Sequence, residues 1–345
     1  MTEPLPVGKL PPELLALLLA SIGGGDDSVL IGPGLGRDAA AVRVGDRVLV
    51  LKTDPITFAS DAIGWYAVNV NANDIACLGA TPRWMLVTAL LPEGRTTPEL
   101  VDEIFAGLRA ACDAIGVRLV GGHTEITAGL DRPILVGQMI GEAAEEELID
   151  PRRAKPGDSI LLVQGIAIEG TAMIAREFPE PLVERYGEPF VERCRQFLHD
   201  PGISVVPAAT TLRRALGHRL HALHDPTEGG LATGLRELGT ATGLGLLVDW
   251  HDIPYYAETS KICETFRLNA LGLISSGALL AVVAPGAVGT ALAALRKAGL
   301  SAARIGRMEE DLEYVRIIDG CIAIPLPTFP VDEFARLLSE SNRKT

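Results

Sequence analysis

The 345-residue sequence has no CxxC pair, no histidine pair set beside a cysteine, and no basic excess. Its five cysteines (Cys77, Cys112, Cys194, Cys263 and Cys321) are scattered. That excludes a zinc ribbon or a disulfide framework and predicts reduced, mostly buried thiols in a cytoplasmic protein. The net charge of −13 excludes a broad nucleic-acid surface, which needs clustered Lys and Arg. It leaves phosphate ligands open, because a bound divalent cation reverses the local sign. The first residues lack the basic start, apolar core and small-residue cleavage site of a leader. No apolar run is long enough for a bilayer. "LLALLLASI" (14–22) falls far short of the roughly 20 residues needed, so we expect a packed amphipathic helix and no membrane contact.

Apolar residues make up 48% of the chain and charged ones 22%, the composition of a globular protein long enough for two cores. Strands are expected at 47–53, 84–91, 118–122 and 133–141, with helices at 61–79 and from Pro98 to Ile115. Thr97 caps the second helix and Pro98 occupies its first turn. This order implies a mixed sheet with helices on one face. The charged, proline-bearing stretch 142–158 marks the boundary between domains 1–150 and 151–345. The second domain reads as α+β: strands at 159–163, 220–224, 244–248, 278–283, 302–308 and 314–318, and helices at 170–177, 229–242, 257–267, 287–298 and 331–340.

"NVNANDIACLGATP" (69–82) places Asn69, Asn71, Asn73 and Asp74 inside an otherwise apolar helix. Short polar side chains compete for backbone hydrogen bonds and weaken a helix interior, so something besides helix stability selects them. Asp38, Asp54, Asp74 and Asp225 all fall at transitions between elements. Each alone fits a cap or turn; together they offer the carboxylate oxygens that hard divalent cations prefer. "GPGLG" (32–36), with Gly34 and Gly36, offers backbone N–H groups to a phosphate, although it is neither a Walker loop nor GxGxxG. Gly229 and Gly230 open a helix, where unpaired N–H groups favour an anion; a tight turn explains them equally well. "GGHTEIT" (121–127) reads as a loop offering His123, Thr124 and Glu125. Lys52 either meets a phosphate or faces solvent.

In this order, these motifs resemble the aminoimidazole ribonucleotide synthetase (PurM-like) superfamily, which includes thiamine-monophosphate kinase, selenophosphate synthetase and formylglycinamidine synthase. "NANDIACLGATPRW", "GGHTEIT", "HDPTEGGLATGL" and "ISSGALLAVV" look most like the hydrogenase maturation factor that dehydrates a carbamoyl group. The resemblance spans about residues 34–320. It implies a homodimer whose N-terminal sheets form a barrel, ATP with Mg2+, and phosphoryl transfer to an oxygen of a small-molecule or protein-bound substrate. Matched by position, Asp38, Asp54, Asp74 and Asp225 would bind metal. Gly34, Gly36, Arg37, Asn71, Thr124, Gly229 and Gly230 would contact nucleotide, and His123 and Glu125 would serve as acid and base. Asn71 and Asp74, three apart, would face the site together.

The sequence departs from that pattern at several positions. Arg37 replaces an acid of the kinase-like members. His123, Glu125, Glu169 and Glu228 differ from the maturation factor, and the end "LLSESNRKT" lacks its terminal cysteine. Cys321, in an apolar run, is expected to be buried. Two alternatives stay open: a nucleotide-binding dimer without catalysis, and a thiamine-monophosphate-kinase-like enzyme.

Overall fold

The computed structural model describes residues 5, 10–22, 26–57 and 61–342. The first half comprises helix α1 (Pro12–Ile22), strands β1 (Val29–Ile31), β2 (Ala40–Val44) and β3 (Arg47–Ile56), helix α2 (Ile63–Cys77), strand β4 (Thr81–Pro92), helix α3 (Pro98–Ile115) and strands β5 (Arg118–Thr127) and β6 (Ile134–Ala143). Its sheet runs β1-β2-β3-β6-β4-β5. The β4–β5 pair is parallel and the other pairings are antiparallel. The expected mixed sheet with helices against one face is what forms. Thr97 caps α3 by accepting from the Leu100 N–H, and Gly116 ends it in the left-handed region.

The second half comprises β7 (Ser159–Val163), α4 (Ile168–Glu177), α5 (Pro179–Tyr186), α6 (Glu188–Arg195), α7 (Val206–Leu216), β8 (Leu220–His224), α8 (Gly230–Thr242), β9 (Gly245–Asp249), α9 (Ala257–Phe266), β10 (Leu279–Val283), α10 (Val288–Lys297), β11 (Ala302–Glu309), β12 (Val315–Asp319), β13 (Ile322–Pro325) and α11 (Glu333–Asn342). The sheet order is β13-β12-β9-β11-β7-β10-β8. β7 and β10 are wholly buried because apolar clusters cover both faces of this sheet.

Several expectations change. The strand from Arg47 does not end at Asp54 but continues to Ile56. "GGHTEIT" is not a loop; it is the second half of edge strand β5. Helix α1 does not bury its leucines: Leu14, Leu17, Leu18 and Ile22 are exposed. Cys321 is exposed as well, because it sits in the tight turn between β12 and β13 rather than inside a strand. The last helix, expected at 331–340, runs from Glu333 to Asn342, and Glu340 in it pairs with Arg336.

Helix α2 is buried almost throughout, since it lies between the first sheet and the second half of the chain. This explains most of its asparagines. Asn73 donates to the Ile203 carbonyl and accepts from the Val205 N–H, tying the two halves together. Asn71 lies against Gly137 of β6, where an added Cβ would come within 2.4 Å of the Asn71 Nδ2. Gly137→Ala is therefore expected to cost about 1–3 kcal/mol through overpacking. Gly286→Ala, with nothing within 4 Å of the new Cβ, should stay within about 0.5 kcal/mol. Denaturant unfolding of the two variants makes the comparison.

Candidate functional site

The site starts from the alternation of β3. Lys52 and Asp54, two apart, share one face of the strand, and that face looks onto α2. Lys52 is 11% exposed, and its Nζ lies 2.6 Å from Asp74 Oδ2 and 3.2 Å from Asp54 Oδ2. Burial alone would lower the Lys52 pKa, but Asp74, Asp54 and Asp38 together hold it well above the ordinary lysine value. The lysine faces neither solvent nor an open pocket; it is the internal counter-ion of the acids.

Asp74 and Asp225 are both buried. Burial first, then the charge of Asp225, pushes the Asp74 carboxyl well above the usual range, with Lys52 opposing. Burial raises Asp225 to about 6, against the opposing pull of His224. Asp225 Oδ1 accepts from Cys77 Sγ at 3.6 Å, while its Oδ2 is buried without a partner. His224 lies between Asp38, 3.5 Å from Nδ1, and Glu237, 3.0 Å from Nε2. Both acids hold it well above the ordinary histidine pKa despite burial.

A cleft opens onto this cluster. Gly36, Arg37, Asp38, Asp74, Cys77 and His224 line it, and Asp150 and Arg152 stand beside them. Gly36 adopts φ +69° where the loop passes helix α8; a Cβ there would meet the Glu237 carbonyl at 3.0 Å. Among the described residues, no group of three or more His, Cys, Asp or Glu side chains is gathered tightly enough to hold a metal alone.

The four aspartates expected from sequence thus converge on Lys52, and are joined by His224, Glu237 and Cys77, which sequence reasoning did not assign. Lys52 was legible from strand alternation. His224, next to Asp225 in the sequence, required knowledge of where Glu237 lies. Asn71 bends toward the sheet rather than the cleft: its Nδ2 donates to Ala67 O at 2.9 Å and Asp54 O at 3.4 Å.

Three other expectations are not met within one chain. His123 and Glu125 hydrogen-bond each other at 3.1 Å on β5, both exposed. The register pairs His123 with Thr88 and Glu125 with Leu90. Lys52 and Asp54 align instead with Met139 and Gly137, and these with Met85 and Val87. Paired residues share a face, so His123 and Glu125 lie on the opposite face of the sheet from the acids. Thr124 is on the same edge strand and exposed. Gly229 and Gly230 do not present free donors: Gly229 N–H donates to Asp332 Oδ2 at 2.7 Å, and Gly230 N–H to the Thr227 carbonyl at 3.0 Å. A carboxylate from the C-terminal segment already fills the place reserved for an anion.

The two-sheet architecture, with its acids between the sheets, is that of the PurM-like fold. The family descriptions "AIR synthase related protein, N-terminal domain" and "C-terminal domain" match residues 36–143 and 155–319. The chain belongs to the AIR synthase-related family. It is 31% identical over 286 residues to a carbamoyl dehydratase HypE of Cupriavidus necator, covering 79% of this chain and 76% of that one. Two solved structures share the fold. A hydrogenase maturation protein HypE in complex with ATP has TM-score 0.68 and 24% identity, covering 92% of this chain and 91% of that one. ThiL complexed with AMPPCP and TMP has TM-score 0.70 and 21% identity, covering 90% and 94%. Among the described residues, no helix is long and apolar enough to cross a membrane.

Proposed function

We propose that the chain is an ATP- and Mg2+-dependent enzyme that transfers the γ-phosphoryl group to an oxygen of a small-molecule or protein-bound acceptor. The observation that carries this reading is the buried Asp74–Asp225 pair, held by one lysine and left with an unpartnered carboxylate oxygen. A buried acid lacking a partner needs an explanation, and a hard cation supplies one. Mg2+ commonly takes only one or two protein carboxylates and completes its shell with water and phosphate, which suits a cluster too open to enclose a metal alone. Asp74 and Asp225 would hold the ion, with Asp38 and Asp54 beside them. Mg2+ would neutralise charge on the phosphates. Gly36 and Arg37, which line the cleft, would meet the nucleotide together with nearby Gly34, Arg37 as a planar, permanently charged donor. The ATP and AMPPCP complexes of the fold neighbours support this assignment. Calorimetry is the test: ATP should bind with Mg2+ and lose most of its affinity in EDTA. Equal affinity in both conditions would count against the metal.

The assembly we propose is a homodimer joined through the helix-free face of the first sheet. That face carries Leu49, Leu51, Leu86, Leu90, Val136 and Ile140, all half-buried in the single chain. A partner sheet would cover them and remove the exposed β5 edge. It would also cover His123 and Glu125, which lie on that face. Sedimentation should give a dimer, and Leu86→Glu with Leu90→Glu should give a monomer. A parent chain that sediments as a monomer at micromolar concentration contradicts the proposal.

A further inference from the structure

We infer that Glu169 is the residue that exchanges a proton with the phosphoryl acceptor, and that the acceptor enters between α2 and α4. The inference rests on the nucleotide reading above. Glu169 lies in the first turn of α4, 5% exposed, and its Oε2 has no hydrogen-bond partner. Two further polar atoms on the surrounding segments are buried and unpartnered: the Tyr66 hydroxyl from α2 and Ser204 Oγ from the segment before α7. The packing brings these segments together. Tyr66 packs in one cluster with Ala167, Ile168 and Ile203. Gly277 lies so close to residues 202 and 203 that a Cβ would meet the Gly202 carbonyl at 2.5 Å and Ile168 Cδ1 at 3.1 Å. A core glutamate with only a structural role would normally have both oxygens bonded, and a small polar molecule needs two to four such partners.

The charges around Glu169 connect it to the site. Asp332 from the C-terminal segment and Asp225 from the turn after β8 both act on it, while Ser276 bonds its carboxyl through hydroxyl and backbone N–H. Tyr66 is the ionisable group facing it from α2. Arg176, on the same helix as Glu169, is paired with Asp61 and with the Arg195 carbonyl. Burial outweighs the Ser276 bonds and raises Glu169 to about 7, the range in which a carboxyl can both take and give a proton at neutral pH. His123 and Glu125, by contrast, lie across the sheet from the acids.

The acceptor oxygen bonds to the γ-phosphorus and its proton passes to Glu169 Oε2. The bond from phosphorus to the bridging oxygen breaks, and ADP leaves with the electron pair. Glu169 then returns the proton to solvent. With water as acceptor, the products are ADP and phosphate.

Water is therefore the probe, in Mg-ATP hydrolysis without any other acceptor. For the parent, the rate should climb with pH and level off above about 7. Glu169→Gln should lower it by about 100-fold and flatten the profile, with Mg-ATP affinity within about twofold of the parent's. Glu169→Asp should recover part of the rate and the pH dependence. A structural role is distinguished by stability. The raised pKa means that folding favours the protonated form, so the parent loses stability as pH rises from the unfolded value through about 7, and Glu169→Gln escapes that loss. An unchanged rate and profile in Glu169→Gln overturns the inference, as does a parent that binds Mg-ATP without hydrolysing it. A parent that fails to bind Mg-ATP shows this in calorimetry first, and then the nucleotide reading itself has failed.

Discussion

Lys52→Met is expected to destabilise the protein by about 3–5 kcal/mol at neutral pH, the cost of leaving a buried charge without its partner. Among the described residues, Lys52 is the cation paired with Asp74, its Nζ 2.6 Å from Oδ2. Two responses are open to the variant. Asp74, already biased toward the protonated form by burial and by Asp225, can take up a proton, which limits the loss to the lower end of that range. A divalent cation can replace the missing charge, so millimolar Mg2+ should recover part of the stability in Lys52→Met and little in the parent. Chemical denaturation with and without Mg2+ measures both effects. A loss below about 0.5 kcal/mol, the scatter of ordinary surface substitutions, would mean that Lys52 is not the counter-ion of the cluster.

Asp225→Asn should have effects of opposite sign on binding and on stability. The amide keeps the shape and can still accept from Cys77, but it removes the charge with the unpartnered oxygen. Mg-ATP affinity is expected to fall about 100-fold, roughly 2.8 kcal/mol. Stability should rise. The parent carboxyl is raised from 3.8 to about 6, so its folded state prefers the proton and loses stability as pH climbs between those values. Asparagine avoids that loss, giving a gain on the order of 1–3 kcal/mol above pH 6. Calorimetry and denaturant unfolding on the same preparation read both signs. A variant with parental affinity, or one that is less stable and also binds less, would make Asp225 a structural residue.

How much of this was legible in the sequence depended on range. Elements with strong local signals stood close to expectation: Thr97 and Pro98 start α3 and Gly116 ends it. The charged stretch 178–217 yielded no expected helix, yet α5, α6 and α7 lie there. Pro179, Pro189 and Pro207 in their first turns were readable start signals. The four aspartates were legible as a set because each lies within three residues of the end of an element, and the fold brings such ends together. The roles of His123 and Glu125 were not, because they depend on register. The β4–β5 pairing shifts between Met85 and Leu86, and a one-residue shift moves a side chain to the other face. Gly229 and Asp332 are 103 positions apart, beyond any local pattern. Glu169 stood out in sequence only as a departure from the resemblance. Its unpartnered oxygen is a property of packing.

The most direct measurement is a crystal structure of the full chain with AMPPCP and Mn2+ in place of Mg2+, because manganese can be located by its anomalous signal. The account predicts a manganese peak on the Asp74 and Asp225 carboxylates, with the phosphates reaching it from the Gly36–Asp38 loop. Nucleotide bound elsewhere, or a cluster still closed by Lys52 with no manganese at saturating concentration, would contradict it.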